Sequence, residues 1–274
     1  MDDERQEFFQ KLNNFINNYQ DILSAGIEER WLKLPIKLYD KEIYEVIGGL
    51  LARQATLSML LASSPYIWNG HIAPIILRVM TDAHITLAWI LKDPPDRVKK
   101  YIHYGLGQEK LFIEHLKAGV EENDDEDIKK LIKYKEEWLE SQRREFLTEV
   151  NVGSWSGLGT REMANEADCD SLYKYAYAPF SGATHNMWQH ISRFNLKYCK
   201  NPLHKYHKIP SVDRASLDPD YLYRSAKYVD KSFALVDKIF GLTIDTSMPL
   251  NWFIEEFDKL FEQKKTDVEN KEDD

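Results

Sequence analysis

Apolar residues recur three or four positions apart along almost the whole chain, and this spacing restricts the fold more than any other feature. That period places apolar side chains on one face of an α-helix, whereas a half-buried strand needs strict alternation. The clearest examples are predicted helices over 3–24, 40–64 and 73–93, and no convincing strand accompanies them. The sequence therefore predicts an all-α, multi-helix bundle of about eight or nine helices.

The length of 274 residues is enough to bury a substantial core, as one large domain or as two small ones. Hydrophobic residues make up 43% of the chain, which is typical of a packed globular protein and not of a disordered one. We predict a single all-α domain over 1–265, with its core at about 40–241 and peripheral helices at 3–24 and 248–264. The acidic segment 266–274 is predicted to be a disordered tail.

The first ten residues, MDDERQEFFQ, are acidic where a signal peptide would be basic and then apolar. No apolar run reaches the length expected of a bilayer-crossing helix, so we predict a cytoplasmic protein without a membrane partner. The two cysteines, Cys169 and Cys199, have no metal-ligand spacing, which favours a reducing compartment. The sequence motifs of zinc and di-iron sites are missing as well, so no metal and no cofactor is predicted.

The net charge of -9 gives the surface a field that repels nucleic acid. Much of the acidic excess lies in 121–127 and 267–274, so the remaining body is closer to neutral. One stretch, 197–214, is densely basic with interleaved aromatic residues. Its Lys205 and Lys208 are candidates for contact with a nucleic-acid backbone, and a solvated loop is the simpler alternative.

Arg78 and Asp82 lie four residues apart within the most apolar predicted helix, so they share one helix face. Buried charges are costly unless they are matched, and a buried pair is not a reliable stabiliser. One interpretation is an internal salt bridge that fixes helix packing. The other is an arginine oriented by the aspartate, which offers its donors to a phosphate or a carboxylate.

A second polar row occurs in a later predicted helix, where hydroxyl and imidazole side chains are spaced by four residues at Tyr173, Tyr177, Ser181 and His185. The tyrosines fit core aromatics whose hydroxyls reach water. Ser181 and His185 are placed to bond each other, and histidine transfers protons near neutral pH. Pro179 is predicted to kink or split this helix near Ala178.

Three segments in this order resemble a bacterial family catalogued only as a domain of unknown function. They are LRVMTDAHITLAWILKDPPDRVKKYIHYG, WSGLGTREMA and the pattern Y-x-x-x-Y-x-x-x-S-x-x-x-H. The family pattern is an R-x-x-x-[DE] helix, a Trp-Gly loop and a later Tyr/Ser/His helix. The resemblance covers roughly 70–190 and falls on Arg78, Asp82, Trp155, Tyr177, Ser181 and His185.

Such proteins are similar to HEPN-like helical domains, which include metal-independent ribonucleases of toxin–antitoxin and anti-phage systems. The resemblance implies a HEPN-like core, and it implies RNA, a second copy of the chain, and an antitoxin or another defence-system protein as partners. The implied catalytic group is Arg78, Asp82, Ser181 and His185. His185 would be the general base or acid, and Arg78, oriented by Asp82, would stabilise the phosphate transition state. Tyr177 and Trp155 would contact the substrate.

A HEPN nuclease carries its arginine and histidine on one helix, in a loose R-x(4–6)-H pattern. Arg78 with His84, and Arg97 with His103, both fit that pattern, which also arises by chance in a chain of this composition. The site would otherwise be assembled from two helices.

Two other functions remain open on the sequence. One is a non-catalytic interaction module in which the Arg-Asp-Ser-His residues form a buried network. The other is a sensor or enzyme for a small anionic ligand, which suits an acidic surface better than long RNA does. A basic rim around the group would favour RNA, a closed pocket a small ligand, and no opening at all the structural module.

Overall fold

The computed structural model describes the backbone of residues 2–123, 125–146, 155–213 and 216–272, and the side chains over most of these ranges. The α-helices are α1 (Asp2–Lys33), α2 (Lys41–Ala62), α3 (Ala73–Ile90), α4 (Pro94–Asn123), α5 (Glu126–Phe146), α6 (Thr160–Glu166), α7 (Asp170–Leu172), α8 (Ala178–Thr184), α9 (Trp188–Phe194), α10 (Asp220–Phe240) and α11 (Pro249–Glu272). Two strands of three residues each form a single hairpin in these ranges. The all-α, multi-helix prediction is confirmed.

The chain divides into two compact units. The first comprises Met1–Pro35, Ile47–Ala88 and Cys169–Asp274, and the second comprises Ile36–Val46 and Trp89–Asp168. The single domain over 1–265 stays a prediction. Helix α11 includes most of the 266–274 segment, whose last two residues lie outside the described part, and the disordered tail also stays a prediction.

The core of the first unit forms where apolar stripes of several helices meet. Its fully buried side chains come from α1, α2, α3 and α10, and include Tyr19, Leu23, Ile47, Leu61, Leu77 and Phe233. Complete burial of one such leucine or phenylalanine contributes about 1.5–3 kcal/mol. These contacts set the positions of α3 and α10, the two helices that supply the candidate sites.

Helix α1 continues past Gly26, where the sequence suggests an end, and reaches Lys33. A Cβ atom at Gly26 would lie 3.1 Å from the ring of Phe233 and 3.2 Å from Nη1 of Arg30. The glycine therefore permits a close approach of α10 to α1 and does not stop the helix.

The second unit is built around the consecutive helices α4 and α5. Leu106 and Ile113 of α4 pack with Ile132 and Leu139 of α5 in a small apolar cluster. Ion pairs join the polar sides of the two helices, for example between Lys135 and Glu109 at 2.5 Å.

Helix α3 is the one helix in the described part of the chain that is long and apolar enough to cross a membrane, which the sequence analysis did not expect. Of its 18 residues, 61% are buried inside the protein, as in the core helix of a globular fold. Length and composition therefore do not decide its environment, and the cytoplasmic location and the absence of a membrane partner stay predictions.

The predicted break near Ala178 takes the form of a wide helical turn. Residues Tyr173–Tyr177, named here the π segment, connect α7 to α8, and the N–H of Ala178 bonds the carbonyl of Tyr173 five residues earlier. Pro179 is the second residue of α8 and directly follows the π segment; it has no N–H to donate to the preceding turn, and the helix widens at this point. Such π turns occur often at functional sites.

A short hairpin follows α9, in a region where the sequence predicts no strand. Strand β1 (Leu196–Tyr198) pairs antiparallel with β2 (Lys208–Pro210), with Lys197 opposite Ile209. Strands of three residues are too short for an alternating pattern to be recognised. The hairpin brings the two ends of the 199–207 loop together.

Candidate functional site

Four of the predicted residues form one contact group, which we name the Arg78 cluster: Arg78, Asp82, Tyr177 and Ser181. Arg78 on α3 donates from Nε to Oγ of Ser181 on α8 at 2.9 Å. The same guanidinium lies over the ring of Tyr177, with its carbon 3.0 Å from the ring centre. The cluster therefore joins α3 to the π segment and to α8 through one hydrogen bond and one cation–π contact.

The hydroxyl of Ser181 makes two hydrogen bonds within the cluster. It accepts the bond from Arg78 and donates to the carbonyl of Tyr177 at 2.8 Å. Ser181 is buried, so both bonds are shielded from water. The serine positions the arginine, and its hydroxyl is not exposed as a nucleophile would be.

The end of the Arg78 side chain keeps donors to spare. Its Nη1 lies 3.7 Å from Oδ1 of Asp82, which is longer than a hydrogen bond. Neither terminal nitrogen of Arg78 donates a hydrogen bond to another residue within the described ranges. The side chain of Arg78 is 13% exposed and that of Asp82 is 49% exposed, so the pair is more open than the apolar sequence of α3 indicates.

Two opposing effects act on the pKa of Asp82. Partial burial raises its pKa, and the positive charge of Arg78 lowers it by a smaller amount. The carboxyl group is therefore protonated more readily than an exposed aspartate, with its cation nearby but not hydrogen-bonded. This suits a group that orients the arginine by charge alone.

His185 lies just beyond the end of α8 and is exposed. Its backbone N–H still bonds the carbonyl of Ser181 at 3.0 Å, so it follows Ser181 by one helical turn on the same side. No hydrogen bond or ion pair of its imidazole is found with the residues that the structure describes. The predicted bond between Ser181 and His185 is replaced by the bond from Arg78.

His84, the partner of Arg78 in the same-helix pattern, lies in the core. Its Nδ1 is 2.9 Å from Oγ of Ser232 on α10, and that hydroxyl donates to the carbonyl of Tyr228. Burial, together with the smaller effect of the Lys231 charge, lowers the pKa of His84 to about 4. The imidazole is therefore neutral at pH 7 and has a structural role between α3 and α10.

In the second unit, Arg97 uses its donors on local partners. It donates to the carbonyl of Trp89 at 2.7 Å and to Glu166 at 3.0 Å, and its guanidinium stacks 3.9 Å from the Trp89 ring. Trp155 packs edge-on against Trp89 and against Tyr101, with ring centres 5.3 Å apart in each case. Trp155 thus belongs to an aromatic group of this unit, and its predicted role in substrate binding stays a prediction.

The two lysines proposed to contact nucleic acid lie on the hairpin. Lys208 in β2 donates to the carbonyl of Ser192 at 3.1 Å and lies 5.4 Å from the ring of Tyr198. Lys205 is exposed in the loop between the strands. One lysine is thus held by the fold, and the other is open to solvent.

A pocket of about 330 Å³, named here the α10 pocket, is not indicated by any motif in the sequence. It is lined by α7, the π segment and α10, through Ser171, Leu172, Tyr175, Ala176, Asp220, Tyr223, Arg224, Lys227, Tyr228 and Lys231. Three of these side chains are basic and one is acidic. The basic residues recur at spacings of three and four along α10, a pattern that the sequence contains but that predicts a solvated face equally well.

The fold and the Arg78 cluster define an all-α protein with an arginine held on an apolar helix by a later serine and tyrosine. The chain belongs to a family of unknown function, DUF5677, whose model matches residues 44–201, more than half of its length. That range includes the whole Arg78 cluster, Trp155 and His185. No curated protein and no solved structure matches the chain.

Proposed function

We propose that the Arg78 cluster binds a phosphate group of RNA and that the protein is a HEPN-like, metal-independent ribonuclease acting in bacterial host defence. The observation that carries this proposal is the incomplete use of Arg78. Ser181 and Tyr177 hold its Nε and its planar face, and its two terminal nitrogens have no hydrogen bond from the described residues. A guanidinium fixed in this way offers paired donors to phosphate oxygens.

His185 supplies the proton transfer in this proposal. Its imidazole accepts the proton of a ribose 2′-hydroxyl, whose oxygen then attacks the adjacent phosphorus. The bond from phosphorus to the 5′ oxygen breaks, and the 5′ oxygen takes a proton from water. The hydroxide that forms removes the proton from His185, and a 2′,3′-cyclic phosphate remains. Arg78 stabilises the charge that develops on the phosphoryl oxygens, and acid–base catalysis of this kind contributes about a hundredfold to ten-thousandfold.

The position of His185 supports this role in two ways. The residue is exposed, so RNA can reach it, and it lies one turn beyond the serine that Arg78 binds. Residues four apart on a helix have Cβ atoms about 5–6 Å apart, a separation that a phosphodiester group spans. Lys205 and Lys208 supply further backbone contacts in the proposal, and an antitoxin or a second copy of the chain would cover the same surface.

A second candidate function rests on the α10 pocket. Its lining has three basic residues, Arg224, Lys227 and Lys231, and one acidic residue, Asp220. This local positive charge contrasts with the net charge of -9 of the chain. Its volume of about 330 Å³ is at the small end of ligand pockets. Tyr175 and Tyr223 add aromatic faces and hydroxyls. This lining favours a small anionic ligand, such as a nucleotide, and a sensor function.

One set of variants tests both candidates. Wild type, Arg78→Ala, Arg78→Lys and His185→Ala are incubated with single-stranded RNA in EDTA, and cleavage and melting temperature are measured together. The exposed residues Arg53 and His115 provide matched controls as alanine variants. We expect cleavage by the wild type and both controls and its loss in the other three. The melting temperature should be unchanged in His185→Ala and only a few degrees lower in the Arg78 variants.

The opposite results are equally clear. Wild-type protein that leaves RNA intact in EDTA, or a His185→Ala variant that cleaves at the wild-type rate, would overturn the ribonuclease proposal. Nucleotide binding measured by calorimetry then decides the second candidate. Binding that is lost in Arg224→Ala and retained in Arg78→Ala would assign the function to the α10 pocket.

A further inference from the structure

The loop between β1 and β2 gathers a cysteine and two histidines that the predicted function does not use. Cys199 directly follows β1, His207 directly precedes β2, and His204 lies between them. One nitrogen or sulfur atom from each side chain lies within 4.8 Å of the other two. The hairpin thus assembles three metal-ligand atoms from a C-x4-H-x2-H spacing that the sequence analysis did not recognise.

The hairpin pairing holds the two ends of this group. Tyr198 is opposite Lys208 in the strand register, and the N–H of Cys199 bonds the carbonyl of His207 at 2.9 Å. Within the loop, the N–H of His204 bonds the carbonyl of Asn201 at 3.0 Å. The three ligand residues are therefore fixed by backbone bonds and not only by side-chain contacts.

The distances suit a tetrahedral ion. Sγ of Cys199 and Nδ1 of His204 are 3.7 Å apart. Typical zinc–sulfur and zinc–nitrogen bond lengths, combined at a tetrahedral angle, place the two ligand atoms about 3.6 Å apart. Two of the three ligands thus have the required separation, and the ligand atom of His207 lies within 4.8 Å of both.

Asn201 lies beside the outer ring nitrogen of His204. Its side-chain nitrogen is 3.3 Å from Nε2 of His204, the ring nitrogen that faces away from Cys199. An imidazole that binds a metal through Nδ1 carries a proton on Nε2, and an amide nitrogen also donates, so this contact is given up when the metal binds. The side chain of Asn201 also accepts the N–H of Leu203 at 3.0 Å, which holds the amide itself in place.

We propose that Cys199, His204 and His207 bind one zinc ion, with a water molecule in the fourth position. A thiolate with two imidazoles is the borderline-soft ligand set that zinc favours over magnesium or calcium. All three residues are at least partly exposed, so the ion can enter from solvent. The site is separate from the Arg78 cluster and has a structural role, because it fixes the loop that carries Lys205.

The surrounding charge sets a limit on affinity. Lys197, Lys200, Lys205 and Lys208 lie in or beside the loop and repel a divalent cation. Zinc is therefore held by its bonds to the ligands and not by the field of the protein. The matched family region ends at residue 201, so two of the three ligands lie beyond it.

The test uses the full-length chain without a histidine tag, stripped with EDTA and then freed of the chelator. Zinc is titrated against a chromophoric competitor, and cobalt(II) is added in a parallel experiment. We expect one ion per chain, and a cobalt spectrum with the visible bands of a tetrahedral site and a thiolate charge-transfer band. Cys199→Ser removes the thiolate band and weakens zinc binding about tenfold or more. His207→Ala weakens zinc binding to a similar extent.

Cys169→Ser is the matched control, because Cys169 is the other cysteine and is buried directly before α7. It should bind both metals like the wild type. The variants change an exposed loop, and circular dichroism checks that they fold. Zinc binding that is equal in wild type and Cys199→Ser, or an octahedral cobalt spectrum, would overturn the site. The ribonuclease proposal rests on Arg78 and His185, so a failure of zinc binding does not decide it.

Discussion

Two arginines of the first unit, Arg30 and Arg78, have similar surroundings but make different numbers of hydrogen bonds. Arg30 is 1% exposed and lies 3.9 Å from the ring centre of Phe233. It donates to both carboxylate oxygens of Asp237, at 2.9 and 2.7 Å, and to the carbonyl of Gly26 at 2.8 Å. Each nitrogen of its guanidinium therefore has a hydrogen-bonded partner.

Arg78 has the same kinds of neighbour but fewer bonds. An aromatic ring covers its face and one hydroxyl takes its Nε, while its aspartate lies 3.7 Å away and is half exposed. The acidic partner of Arg30 comes from α10, whereas that of Arg78 comes from its own helix. The comparison teaches that an arginine whose nitrogens are all hydrogen-bonded joins helices, whereas an arginine with unused donors can bind an anion from outside.

The largest expected effect is on Arg30. Arg30→Ala leaves Asp237, only 18% exposed on its side chain, without its bidentate partner. Breaking a buried pair from one side costs about 3–5 kcal/mol, so we expect a loss of that order in the free energy of unfolding. Urea denaturation followed by circular dichroism measures it.

Arg53→Ala, at an exposed position of α2, is the control for Arg30→Ala and should change stability by less than about 0.5 kcal/mol. An Arg30→Ala variant as stable as this control would show that saturation of the guanidinium does not stabilise the fold. The contrast between the two arginines would then be lost.

The next effect concerns His84, which lies on α3 beyond Arg78 and is buried where Arg78 is open. The unfolded chain binds a proton at this imidazole below about pH 6.5, and the native protein only below about pH 4. Stability from neutral His84 is therefore complete above pH 6.5 and is lost as the pH falls toward 4. The folding equilibrium constant should fall by about tenfold for each pH unit in this window.

His84→Gln isolates this effect, because glutamine can bond Ser232 and does not titrate. The same comparison cancels the contribution of Asp230 to the pH dependence of stability. Burial raises the pKa of Asp230 to about 6, so the native state binds this proton before the unfolded state does. Unfolding is measured for both proteins between pH 4 and 7. Parallel stability curves for the wild type and His84→Gln would contradict a buried neutral imidazole.

A smaller effect is expected for Arg78→Ala. The variant loses one charged hydrogen bond and a cation–π contact, and Ser181 keeps its bond to the carbonyl of Tyr177. We therefore expect a loss of about 1–2 kcal/mol, clearly less than for Arg30→Ala. Urea denaturation of the two variants under one set of conditions gives the answer. Equal losses would mean that Arg78 is as structural as Arg30.

The smallest effect is expected for Ser181→Ala, which removes the hydroxyl between Arg78 and the carbonyl of Tyr177. The stability loss should be about 1 kcal/mol. RNA cleavage should fall further than this loss explains, because Arg78 is no longer held in place. Ser58→Ala, in another buried hydroxyl bond, provides a control for stability without a change in cleavage.

The sequence predicts the helices and part of the site because both depend on short-range spacing. Arg78 and Asp82 share a face as their spacing requires, and the later row contributes Tyr177 and Ser181 to the same cluster. The exposure of His185 was not predictable, because it depends on where α8 ends. The site residues' chemical roles stay predictions.

Other features depend on contacts between distant segments, which spacing does not reveal. Gly26 faces Phe233 some two hundred residues later, so its role in close packing is not visible locally. The β1–β2 hairpin is too short for a pattern, and its pairing decides which of the 199–207 side chains meet. The α10 pocket needs the π segment and α10 together.

The π segment accommodates one residue more than an α-helical turn of the same span would hold. Shortening the chain by Lys174 would let an ordinary turn form, with Ser181 still facing Arg78 because the flanking helices keep their phase. An uninterrupted helix would place Pro179 in its interior, where the proline has no N–H to donate and its ring meets the carbonyl four residues earlier, so this deletion should destabilise the protein. It would also remove the outward placement of Tyr175 beside α10, and the wide turn therefore both accommodates the proline and creates this surface.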